Sequence, residues 1–95
     1  MDTNTNAPAD PWRNPTETVL GSELRPGDIV RNHGYRWAID RVEYDPCGSR
    51  KLPGELGRWY LYARALDAPD LPSIFRDNME MALREDLTWC REVPA

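Results

Sequence analysis

Few residues of this chain are spaced for catalysis. The single histidine, His33, stands in an Asn32-His33-Gly34 triplet, a turn context in which an imidazole is ordinarily solvated. No serine occupies a nucleophile elbow, no glycine-rich run could cradle a phosphate, and no His-Glu metal motif occurs. The two cysteines, Cys47 and Cys90, lie far apart and lack CxxC spacing, as the lone histidine lacks HxxxH spacing. Zinc is therefore not expected, and the cysteines read as free thiols, one of them buried, rather than as a disulfide. Asp40, Glu43 and Asp45 are close in sequence, and Asp40 falls beside Trp37 and Ile39, where a carboxylate could be perturbed. The simpler expectation is an ion pair with Arg41 or Arg64. The residue types thus predict no enzyme, no cofactor and no metal.

What remains suits binding. Trp59, Tyr60 and Tyr62 lie in one aromatic run, and aromatic anchors with a charged rim are the usual composition of a protein-interaction surface. The alternative is a nucleic-acid surface in which Arg31, Arg36, Arg50, Lys51 and Arg58 attract phosphates while neighbouring rings stack on bases. Against it stands a net charge of −4, where such binders carry a positive stripe. The charge is uneven. Residues 25–66 carry seven arginines and Lys51 against five acids, while residues 67–95 carry seven acids against three arginines. An acidic surface can also imitate nucleic acid toward a basic partner. A third option, a cage for a methylated cation built from Tyr35, Tyr60, Tyr62 and Trp89, requires the rings to surround one opening. The preferred partner is another protein, or a second copy of the chain.

These residues need elements to hold them. Pro26-Gly27 fits the centre of a type II turn, with Ile29-Val30 starting a strand behind it. Tyr35, Trp37 and Ile39 alternate on one face, and Val42 and Tyr44 resume on the opposite parity, so a β-bulge is expected at Asp40-Arg41. Residues 45–57 read as a loop. Residues 58–66 form an aromatic strand with Trp59, Leu61, Ala63 and Ala65 on one face and Tyr60, Tyr62, Arg64 and Leu66 on the other. Between 73 and 84 helix and strand compete. The preferred reading is a short turn or helix near 73–77, then a strand over 79–84 hairpinned onto 87–93.

Ninety-five residues make one domain. Residues 1–16, with three prolines and Trp12 as the only large apolar side chain beyond the initial methionine, read as a tail, leaving 17–95 as the folded unit. No apolar run could span a bilayer, and no signal peptide is evident, so a cytoplasmic location is expected. Short strands joined by glycine and proline turns predict a mostly β fold. The expectation is a small, strongly bent antiparallel sheet or barrel of four to five strands. The run Leu24-Arg25-Pro26-Gly27-Asp28-Ile29-Val30 resembles the opening strand of SH3-like small barrels of the KOW and Tudor kind. That resemblance implies a binding module, since members of these families bind RNA, proteins or methylated side chains. A small accessory protein of a phage or mobile element fits the size and tail.

Overall fold

The Arg25-Pro26-Gly27-Asp28 segment folds as its residue types dictate. In a computed structural model, which describes residues 10–46 and 56–94, Gly27 has φ +95°, the region open to glycine. The Asp28 amide closes the turn on the Arg25 carbonyl at 3.1 Å, and its carboxylate accepts from the Arg25 amide at 2.9 Å. The turn launches β2 (Ile29–Asn32), which returns through His33-Gly34 into β3 (Tyr35–Asp45). Both loop residues have positive φ, +53° and +79°, matching a type I′ hairpin whose twist suits the flanking strands.

β3 pairs with β4 (Arg58–Leu66), which pairs with β5 (Met79–Arg84). The β3–β4 register slips between Ile39 and Arg41, so the bulge predicted from the parity switch is present. A single turn of helix, α1 (Ser73–Arg76), precedes β5. Among the described residues the sheet has six strands, because residues 16–20 form an outer strand, β1 (Thr16–Leu20). With β6 at Thr88–Glu92, the order is β1-β6-β2-β3-β4-β5, all antiparallel and not closed into a barrel.

One expected pairing is wrong. β6 (Thr88–Glu92) does not hairpin onto β5; it crosses over and inserts between β1 and β2. Neighbouring strands usually pair, but here the longer route buries Trp89 opposite Val19 and places Glu92 among arginines. The sheet curls far enough for its two ends to share one core, with Val19 and Trp89 in the same cluster as Leu61 and Met81 around Trp37. Asn32 Nδ2 reaches Met81 Sδ across the curl, and the Trp59 ring packs over Gly21. Among the described residues β5 keeps a free edge, and a groove of about 390 Å³ separates its Ala82 and Leu83 from Thr88 and Trp89 of β6. No helix among the described residues is long and apolar enough to cross a membrane.

Residues 10–15, read from sequence as part of a tail, lie against the sheet. Asp10 caps a 3-10 turn at Pro11–Arg13 by accepting from the Trp12 amide at 3.0 Å. Arg31 donates to the carbonyls of Pro11 and Asn14 and stacks on Trp12, 5.0 Å from its centroid. The Val93 amide donates to the Pro15 carbonyl at 2.9 Å.

Candidate functional site

The period of two along β4 divides its aromatic residues between two faces. Leu61 and Ala63 turn inward and are fully buried, and Trp59 shares their side. Its ring packs on Tyr44 with centroids 4.8 Å apart. Tyr60 and Tyr62 face outward and stay half-buried. The trio expected to act together is therefore split: Tyr60 and Tyr62 form one surface, and Trp59 belongs to the opposite side.

Register supplies the neighbours of the two tyrosines. Tyr60 lies between Glu43 of β3 and Ala82 of β5, Tyr62 between Arg41 and Glu80, and Arg58 between Asp45 and Arg84. A shallow groove of about 310 Å³ is lined by Glu43, Tyr44, Asp45, Tyr60, Tyr62 and Glu80, although the Tyr44 ring itself packs on Trp59. The Glu80 carboxylate, then partial desolvation and the Glu43 carboxylate, push the Tyr62 pKa up to about 12 by favouring the protonated phenol. Arg41 lies over the Tyr62 ring, its guanidinium carbon 4.1 Å from the centroid, and reaches Glu43 at 3.4 Å. Above the bulge Arg64 pairs with Asp40 at 3.1 Å, one of the two pairings expected for that carboxylate. Ring faces and carboxylates both attract an ammonium or guanidinium group, and this face also carries Arg41, Arg58, Arg64 and Arg84 of its own.

The arginines proposed for nucleic acid are placed differently. Arg36 is buried and donates to both Glu92 oxygens, at 2.5 Å from Nε and 2.9 Å from Nη2. Arg31 adds a third bond at 3.2 Å and Asn14 a fourth at 3.3 Å. Led by the Arg36 bonds, this network pulls the Glu92 pKa down to about 2 against the opposing pull of burial. Arg31 and Arg36 are thus bound to a carboxylate and to the N-terminal segment instead of presenting a basic patch. Arg58 lies at the far end of the sheet, and Arg50 and Lys51 lie outside the described residues.

The cage of four rings does not form, since Trp89 is buried and Tyr35 packs on the core, away from Tyr60 and Tyr62. His33 is exposed in its turn, Cys90 is an exposed free thiol, and Cys47 lies outside the described residues. Among the described residues no cluster of three or more His, Cys, Asp or Glu could hold a metal ion. Sequence reasoning noticed Glu43 and Asp45 only as acids near Asp40 and passed over Glu80. Its signal was present: Met79, Met81 and Leu83 alternate, which sends Glu80 to the tyrosine face.

No model of a known protein family matches the chain, and a search of the curated proteins finds no match.

Proposed function

We propose that this protein is a non-enzymatic protein-interaction module that takes an arginine- or lysine-bearing segment of a partner on the outer face of β3, β4 and β5. One observation carries the reading: Tyr60 and Tyr62 stand outward beside Glu43, Asp45 and Glu80, while the core closes on the other face without them. Arg41 on the Tyr62 ring is an intramolecular example of the contact a partner's cation would make. The order β6-β2-β3-β4-β5, a meander whose last strand returns beside its first, supports an SH3-like character. A cytoplasmic location accompanies this reading, and no cofactor enters it. Nucleic acid is the weaker reading because Arg31 and Arg36 are held by Glu92.

The test is a fluorescence titration with Arg/Lys-rich peptides beside neutral and acidic peptides of equal length. Basic peptides are expected to bind preferentially, to weaken with added salt, and to lose about tenfold in affinity with Tyr60→Ala or Glu80→Gln. Equal binding of all three peptide classes, or indifference to both substitutions in folded protein, refutes the reading.

A further inference from the structure

The sheet's two edges are finished in different ways. β1 follows Pro15, carries Glu17 on its inward side paired with Arg91 at 2.8 Å, and has its Leu20 amide capped by the Glu23 carboxylate at 2.8 Å. Proline, an inward charge and a capped amide are devices that keep an edge from pairing with another strand. β5 has none of them. Its residues run Met79-Glu80-Met81-Ala82-Leu83-Arg84, with Glu80, Ala82 and Arg84 exposed on the outer face and Met79 and Leu83 only half-buried on the inner one. No strand among the described residues pairs with its outer edge, and the groove on that side holds β6 away.

The order of side chains along β5 is complementary to itself. In an antiparallel pairing of two copies centred on Ala82, directly opposed residues share a face. Glu80 of each copy then stands opposite Arg84 of the other, whose guanidinium is held by Asp86 at 2.9 and 3.0 Å in the single copy and would be shared with Glu80 across the pairing. Ala82 meets Ala82 at the two-fold axis, with no bulk to hold the strands apart. On the inner face the half-buried Leu83 of each copy comes opposite Met81 of the other, which is already buried in its own core. Shifting the centre to Met81 would lose both opposite-charge pairs.

We infer that the free edge of β5 is a self-association surface on which a second copy of this chain pairs antiparallel about Ala82, joining the two sheets into one. Such a contact is isologous, so it closes at two copies. It also extends the outer face on which Tyr60 and Tyr62 stand, since the two-fold axis runs through the sheet and keeps both outer faces on one side.

Charge reversal tests both the surface and its register. Sedimentation equilibrium is run on wild type, Glu80→Arg, Arg84→Glu and the double reversal, from micromolar to millimolar concentration. Near-ultraviolet circular dichroism confirms the fold of each. Wild type is expected to dimerise. Each single reversal sets like charges opposite each other at two symmetry-related places and should raise the dimer dissociation constant about tenfold or more. The double reversal restores opposite charges and should recover dimerisation. Ala82→Lys, at an exposed position on the axis, should also abolish it. A wild-type monomer at millimolar concentration, a dimer indifferent to the single reversals and to Ala82→Lys, or one that the double reversal fails to restore overturns the inference.

Discussion

Replacing Glu92 with glutamine should destabilise this protein in a pH-dependent way. The carboxylate is 7% exposed and receives two bonds from Arg36, one from Arg31 and one from Asn14. Its pKa falls from an ordinary 4.5 to about 2. A tenfold change in proton affinity is worth about 1.4 kcal/mol, so the ionised carboxylate contributes about 3 kcal/mol to folding. Above pH 4.5 it is charged in the folded and unfolded chains alike, and the contribution is whole. As pH falls from there toward 2 the unfolded chain takes up the proton first, and the contribution fades. Glutamine keeps the shape, removes the charge and leaves Arg36 buried beside a neutral amide, a loss of about 3 kcal/mol or somewhat more at neutral pH.

Urea unfolding followed by fluorescence of the buried Trp37 and Trp89 measures this. With a slope of about 1 kcal/mol per molar, the midpoint of Glu92→Gln should fall by roughly 3 M at neutral pH. The gap between wild type and variant should narrow between about pH 5 and pH 2. The double variant Arg36→Met/Glu92→Leu should recover much of the loss, because it removes both buried charges. A gap under about 1 kcal/mol, or one that does not narrow as pH falls, refutes the account.

Two further outcomes follow from local geometry. A Cβ on Gly21 would collide with the Trp59 ring. Gly21→Ala should therefore cost about 1–3 kcal/mol and lower the melting temperature by roughly 5–15 °C, with less added loss when Trp59 is already leucine; an unchanged melting curve contradicts the packing. In a ¹³C-tyrosine NMR titration Tyr62 should ionise near 12, and Glu80→Gln should lower that midpoint because the Glu80 carboxylate is its main cause. Ionisation of Tyr62 near 10 in the folded protein contradicts the carboxylate environment described.

Local features of the fold were legible in the residues. Pro26-Gly27 announces its turn because only certain φ values are open to each residue, and the parity switch at Asp40-Arg41 announces its bulge because side chains alternate strictly along a strand. Strand β5 was only half legible, because Met79, Met81 and Leu83 alternate as in a strand while Phe75, Met79, Ala82 and Leu83 also fit a helical stripe. The partner of β6 was not, because Trp89 and Val93 would have suited a hairpin on β5 as well; the choice is made by long-range burial against Val19. The ion pair of Arg36 with Glu92 was hidden for the same reason, as nothing near Arg36 in sequence shows that a carboxylate 56 positions away will be buried beside it. For the candidate site, alternation separates Tyr60 and Tyr62 from Trp59, but which acids surround the tyrosines depends on β3–β4–β5 register.

The insertion of β6 between β1 and β2 also orders the folding of the chain. β2, β3, β4 and β5 follow one another as a meander, so their contacts close in sequence order. Among the described residues β1 has no sheet neighbour except β6, and β6 is the last of the described strands to be synthesised. During synthesis β1 must therefore wait, unpaired, while the rest of the meander emerges. Residues 88–92 then join β1 to β2, bury Trp89 and supply Glu92 to Arg36 in one event. Contacts of such sequence separation slow folding. A chain shortened before residue 88 would lack the joint itself, so the loss of five residues of strand at one end would also release the strand nearest the other.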